Sequence, residues 1–324
     1  MTTKRALVLG ISGQDGAYLA RLLLDKGYVV HGTSRDADQN DFSNLVRLGL
    51  RDRITLHSAV PTDFRSVFQA IQSVTPDEIY NLAGQSSVGL SFDEPAETLQ
   101  SITLGMLNVL ETMRVVGGAA RIYNACSSDC FGNTDGAAAD ETTAFRPRSP
   151  YGVAKAAAFW AVANYRESYG LYACSGILFN HESPLRPERF VTRKIIAAAC
   201  RIAAGSGERL SLGNTAIARD WGWAPDYVDA MWRMLQQDEA DDYVVATGQS
   251  HTLEDFVARA FDAVGLDWHD HVDSDPELMR PADLSRSRGD ASKAADVLGW
   301  RASMAMPGVV KAMVAAERDP DPVL

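Results

Sequence analysis

The chain has 324 residues and is 46% hydrophobic, enough to bury a sizeable core in one large or two modest domains. A formal net charge of -11 and a pI near 5.0 exclude the basic surface that nucleic acid requires. The apolar run at 6–10 is too short for a signal peptide, and that at 195–204 is broken by Arg201 and too short for a bilayer. A soluble, cytoplasmic protein without a membrane partner is expected. Cys126, Cys130, Cys174 and Cys200 read as reduced core thiols. Cys126 and Cys130 lack the further Cys or His partners of a zinc site, so no metal is expected.

In chain order, residues 6–10 form a short apolar strand that breaks into Gly10-Ile11-Ser12-Gly13-Gln14-Asp15-Gly16. Ala17, Leu19, Leu22, Leu23 and Leu24 then mark a helix, and residues 28–32 a second strand. The GxxGxxG triplet is weak by itself, but its place between a buried strand and a helix gives it weight. Glycines there let the backbone approach a pyrophosphate seated on the helix N-terminus.

The alternation continues with strand 54–57, helix 63–73, strand 78–83, a long helix 96–115, strand 121–126, a helix from Pro150, and strand 173–179. Such alternation predicts an α/β fold, a Rossmann-type doubly wound parallel sheet covered on both faces. Ligands of such sheets bind beyond the carboxyl ends of the strands, where 81–86, 125–129 and 178–183 fall. After about residue 180 the rhythm loosens into helices at 191–204, 226–236, 253–264, 291–298 and 307–316. We therefore expect a dinucleotide-binding domain at 1–180 and a smaller, mixed α/β C-terminal substrate domain at 181–324. Some segments after 215 return to the first domain in this reading.

The stretch Ser149-Pro150-Tyr151-Gly152-Val153-Ala154-Lys155 opens a helix. Ser149 can accept a backbone N–H as its cap, and Pro150 suits the first helical position. Tyr151 and Lys155, four apart, share one face. A free phenol titrates near pH ~10, so a base near neutrality requires roughly 4 kcal/mol of added stabilisation of the phenolate. An ammonium one turn away is a direct source.

The glycine turn, strand-end Ser127 and downstream YxxxK together resemble the extended short-chain dehydrogenase/reductase family, and within it the GDP-mannose 4,6-dehydratases. The resemblance runs over nearly the whole chain. It is carried by Gly10 to Leu19, Tyr80-Asn81-Leu82-Ala83, Pro147 to Tyr151, Asn164 to Gly170, Gly176 to Pro184, Phe190-Val191-Thr192-Arg193-Lys194 and Arg219-Asp220-Trp221-Gly222. It implies oxidation of the sugar at C4, elimination of water across C5–C6 and return of hydride to C6. Tyr151 would take the C4 hydroxyl proton, Lys155 would lower its pKa and bind the cofactor ribose, and Ser127 would hydrogen-bond the C4 oxygen.

The family has Glu where this chain has Asp129, one methylene shorter and so withdrawn by roughly 1 Å. Asp129 either serves as the C5/C6 acid–base or leaves an oxidoreductase or epimerase working at C4 alone. A non-catalytic nucleotide-binding homologue is the third reading. The resemblance assigns Gly10, Gly13, Gln14, Asp15, Gly16, Arg35, Leu82 and Ala83, with Tyr151 and Lys155, to the cofactor. It assigns Ser86, Ser128, Asn180, Lys194, Arg219 and Arg280 to a GDP-sugar, with Asp283 a further ribose candidate. Where the family has two arginines, Arg35 is followed by Asp36, which keeps NADP the expected cofactor with NAD open. The family's Gly-Asp-Leu adenine contact is Ala59-Val60-Pro61 here, which moves that contact to Asp63 or removes it. His181 reads as a hydrogen-bonded structural histidine. A homodimer through the helices after the fourth and fifth strands, or a homotetramer, is implied.

Overall fold

The computed structural model describes residues 3–319. β1 (Arg5–Leu9) is buried from Ala6 onward and feeds the glycine turn into α1 (Gln14–Asp25). β2 (Val29–Ser34), the short α2 (Ser43–Arg47), β3 (Thr55–Ser58), α3 (Phe64–Val74) and β4 (Glu78–Asn81) follow. The expected long helix is interrupted. α4 (Leu90–Asp93) and α5 (Pro95–Leu99) lead through a π-helical turn, Gln100–Leu104, into α6 (Gly105–Val116). Gly117, at φ +67°, ends α6 in the left-handed conformation that a side chain disfavours. β5 (Arg121–Ser127), α7 (Pro150–Tyr169) and β6 (Ala173–Leu178) complete the first half.

Beyond β6 come β7 (Asn180–Glu182), α8 (Val191–Ala203), β8 (Leu210–Leu212), β9 (Ala218–Arg219), β10 (Trp221–Trp223) and α9 (Ala224–Met234). β11 (Tyr243–Val245), β12 (His251–Thr252), α10 (Leu253–Asp262), β13 (Val272–Ser274), α11 (Ser292–Leu298) and α12 (Met306–Arg318) close the chain. Two- and three-residue strands such as β9 and β12 carry too little periodicity to be read from sequence.

The main sheet has the order β11-β6-β5-β4-β1-β2-β3, every neighbouring pair parallel. The expected Rossmann-type sheet is therefore present, with β11, from the second half of the chain, as an edge. β6 is buried at all six positions, as a central parallel strand covered on both faces must be. One side chain layer joins Leu19, Leu23, Tyr80, Tyr123, Tyr227 and Met231; another joins Ile79, Met106, Val109, Ile122, Ala158 and Val162. A third cluster, with Ile195, Ile196, Phe256, Phe261, Val310 and Met313, belongs to α8, α10 and α12. Each such fully buried large side chain contributes roughly 1.5–3 kcal/mol of transfer free energy. Between the carboxyl edge of the sheet and this third cluster a cleft remains. Among the described residues no helix is long and apolar enough to cross a membrane.

Candidate active site

The cleft, about 420 Å³, opens where β1, β4, β5 and β6 end. Asp15, Leu82, Ser86, Ser127, Ser128, Asp129, Tyr151, Lys155, Asn180, Lys194, Arg219 and Arg280 all line it. Expected site residues from Asp15 to Arg280, most of the length of the chain, thus share one cavity.

Two of the three glycines of the turn, Gly10 and Gly16, have no room for a side chain. Gly10 sits at φ +83°, and a Cβ there would lie 3.0 Å from the Ala83 backbone; one on Gly16 would lie 2.6 Å from Gly10 O and Ile11 Cα. No side chain caps α1, whose N-cap is Gly13. The first-turn N–H groups are thus left to a ligand anion, and the turn fits a dinucleotide pyrophosphate. Ala83 takes part by this backbone approach.

The reacting groups stand on two elements. Ser149 Oγ accepts the Gly152 N–H at 3.0 Å, as expected for the helix cap, and so fixes Tyr151 in the first turn of α7. Ser127 ends β5, and its Oγ accepts the Asp129 N–H at 3.2 Å. Lys155 Nζ donates to Ala125 O at 2.6 Å and lies 5.7 Å from the centre of the Tyr151 ring. Burial, and then the Asp129 carboxylate, push the Tyr151 phenol up from its usual value, and the Ser127 hydroxyl acts in the opposite direction. This corrects the expectation that Lys155 depresses Tyr151: its ammonium is turned to a backbone carbonyl, and burial lowers its own pKa. Asp129 is raised by burial, with Arg219 and Arg280 opposing, which suits a carboxyl that must both take and give a proton.

At the far end Lys194 Nζ donates to Ser211 O at 2.8 Å, leaving a cation beside the cleft. Arg219 is not paired with Asp220. Its Nη2 donates to Asp283 Oδ1 at 2.7 Å, and Arg280 lies 3.8 Å from the same oxygen. Asp220 is buried and accepts from the Thr247 hydroxyl and the Thr247 and Gly248 N–H groups.

Beyond β2, Arg35 is exposed and Asp36 turns away from it, its Oδ1 accepting the N–H groups of Asp38 and Gln39. A carboxylate that closes its own turn in this way repels a phosphate held at Arg35 less than a free one would. Asp63 caps α3, its Oδ1 accepting the Arg65 N–H at 3.0 Å. A small cavity remains there among Leu9, Thr33, Ala59, Pro61, Asn81 and Val109.

Sequence reasoning left several cleft residues aside. Glu182, buried, accepts from Thr192 Oγ1 at 2.7 Å. Arg186 stacks on Phe190, 3.9 Å from its ring centre. His181 is hydrogen-bonded as expected, but its partner Asp15 belongs to the glycine turn. Their position just beyond β6 was the available signal. Cys126, Cys130 and Cys174 are buried free thiols, and the first two lie 3.6 Å apart.

Comparison with known proteins agrees with this geometry. A family model described as GDP-mannose 4,6 dehydratase matches residues 7–313. The chain is 47% identical over 321 residues to GDP-mannose 4,6 dehydratase 1 of Arabidopsis thaliana, covering 96% of this chain and 89% of that protein. Among solved structures, the UDP-glucose 4-epimerase of Thermus thermophilus in complex with NAD superposes with a TM-score of 0.86 at 26% identity, over 97% of this chain and 99% of that chain. The RMD protein of Pseudomonas aeruginosa complexed with NADPH superposes with a TM-score of 0.81 at 24% identity, over 98% and 100%. The cleft thus lies within a match that spans almost every described element, and the chain belongs to the GDP-mannose 4,6-dehydratase family.

Proposed function

We propose that the protein is an NADP-dependent lyase of deoxysugar biosynthesis that converts GDP-mannose to GDP-4-keto-6-deoxymannose and water. The observation that carries this reading is the convergence of Ser127, Asp129, Tyr151 and Lys155 at one end of a cleft whose other end presents Lys194, Arg219 and Arg280. The atoms balance without an external oxidant: the C4 hydroxyl becomes a ketone, the C5 proton and C6 hydroxyl leave as water, one hydride is transferred from C4 to C6, and the proton taken from the C4 hydroxyl is returned to C5. A bound nicotinamide supplies the acceptor and donor of that hydride.

Tyr151 takes the C4 hydroxyl proton as a phenolate, and the Ser127 hydrogen bond favours that form. Lys155, one turn on along the same face of α7, is the group for the cofactor ribose. The ketone at C4 acidifies C5–H. Asp129 removes that proton and delivers it to the departing C6 hydroxyl, a double duty for which its raised pKa prepares it. Arg219 and Arg280 are the cations for the diphosphate, with Lys194 as a third, and Asn180, Ser86 and Ser128 orient the sugar.

NADP is favoured over NAD because Arg35 is exposed and the carboxylate of Asp36 is committed to its own turn. The epimerase and the RMD protein, which share the fold, hold NAD and NADPH respectively. Leu104 of the π-helical turn, Leu107 of α6, and Val153 and Trp160 of α7 are exposed, and we take the surface they form as a homodimer interface, with tetramer formation open. A cytoplasmic location and a division near residue 180 into a cofactor half and a sugar half complete the proposal.

The test is incubation with GDP-mannose and NADP, with the products followed by mass. Loss of one water without added reductant is expected. An unchanged mass with inversion at C4, or a two-electron change that consumes external cofactor, would overturn the reading.

A further inference from the structure

Strand alternation sends the side chains of Asn180 and Glu182 one way and that of His181 the other, back towards the glycine turn. His181 Nδ1 lies 2.7 Å from Phe179 O, and Nε2 lies 2.8 Å from Asp15 Oδ2. A backbone carbonyl and a carboxylate only accept, so both contacts are satisfied when the ring is protonated, and Asp15 accordingly raises the His181 pKa against the opposing effect of burial. The ring is 8% exposed and stacks on Tyr227, with ring centres 4.5 Å apart, so it has no room to turn. Two more bonds tie the same segments. Gln14 Nε2 donates to His181 O at 3.2 Å, and Ser183 Oγ donates to Gln14 Oε1 at 2.8 Å. The other charges facing the pair are Arg186, held 3.4 Å from Glu182, and Lys155.

Asp15 is the second residue of α1, whose first-turn N–H groups form the phosphate site. Asn180 and Glu182, on either side of His181, line the sugar cleft. Displacing either segment strands a charge away from water, so the two move together or not at all. We propose that His181 is a positioning residue that locks the phosphate-binding turn of α1 to the sugar-binding strand β7, so that occupancy of one site tightens the other. This rests on reading the cleft as a joint site for a dinucleotide and a nucleotide sugar. Coupling of this kind is reciprocal: each ligand must raise the affinity of the other by the same factor. It would also hold the sugar in one register through two transfers at different carbons.

The test uses full-length wild type, His181→Gln, Asp15→Asn and the double variant. Affinities for NADPH and for GDP are measured calorimetrically, each with and without the other ligand, beside thermal unfolding. In wild type, NADPH should tighten GDP binding at least fivefold. In His181→Gln that factor should fall to near one while GDP binding without NADPH stays within threefold of wild type. The double variant should lose no more than the worse single one. Imidazole 15N shifts should report both nitrogens of His181 protonated at pH 7.5. A coupling factor absent from wild type, or retained in His181→Gln, would overturn the proposal, and so would a neutral imidazole. If His181→Gln does not fold, His181→Asn provides the same comparison. Failure of dehydration with the mutual binding factor intact would refute the activity and leave the coupling standing.

Discussion

The Ser127 hydroxyl donates to the Asp129 carboxylate across 3.3 Å while accepting the Asp129 backbone N–H. The serine that would hold the C4 oxygen and the carboxylate that would act at C5 and C6 are therefore one hydrogen-bonded unit at the end of β5. A substrate hydroxyl bound at Ser127 would compete with Asp129 for the Ser127 proton and would thereby free the carboxylate.

Asp129→Asn should lower kcat for water loss by about 10²-fold or more, with KM for GDP-mannose within a few-fold, because an amide neither takes nor gives the proton. Asp129→Glu should raise kcat by restoring the reach of roughly 1 Å. A fall in kcat with Glu would show that the cleft is fitted to the shorter side chain.

Tyr151 is raised above the usual phenol value by burial and by Asp129, so the fraction ionised is small at neutral pH and grows as pH rises. The ratio kcat/KM should therefore climb through the alkaline range. Tyr151→Phe should cut activity by about 10³-fold or more and remove that limb. Asp129→Asn should shift the limb to lower pH, because a negative neighbour is gone. A flat profile for wild type between pH 7 and 9 would contradict the assignment.

Arg35→Ala should weaken NADP binding by about tenfold or more and leave NAD binding unchanged, since only NADP carries the 2′-phosphate. Asp36→Ala should leave the preference between the two cofactors unchanged, because its carboxylate serves the turn at Asp38 and Gln39. Fluorescence titration of both reduced cofactors distinguishes these outcomes.

Burial raises the Asp15 pKa, but the adjacent His181 imidazolium overrides it and holds Asp15 at about 2. A depressed carboxyl contributes stability above its unfolded value of 3.8, lost as pH falls through about 2; here that is about 2 kcal/mol. Burial lowers His181, and Asp15 overrides this too, so its pKa is raised. Its contribution is complete below 6.5 and is lost as pH rises through the folded value. Asp15→Asn should accordingly flatten both limbs of a plot of unfolding free energy against pH.

Trp160 is 61% exposed on α7, with Val153 two turns earlier on the same helix, and Leu104 of the π-helical turn and Leu107 of α6 are exposed as well. Large apolar side chains gathered on one face mark an interface. Trp160→Glu with Leu107→Glu should convert the protein to monomers in analytical ultracentrifugation with little change in the secondary-structure signal. A wild type that sediments as a monomer would remove this interface.

Much of the molecule was legible from local pattern. The strand, glycine turn and helix at 6–24 follow from periodicity and from backbone that only glycine permits, and the Ser149 cap and Tyr151–Lys155 spacing follow from helix geometry. Those properties involve residues within a turn or two of one another, so sequence alone determines them. The partners of charged groups were different. Asp36 and Asp63 turned to their own backbone, Asp220 to Thr247, Arg219 to Asp283, and His181 to an aspartate 166 positions earlier. Coulomb energy depends on distance and burial, and for groups far apart in sequence both are set by how β7, β9 and α1 meet. Sequence determined that this chain has a tyrosine and a lysine on one helix face and a glycine turn at the end of β1; only the tertiary structure decided that a buried histidine joins that turn to β7.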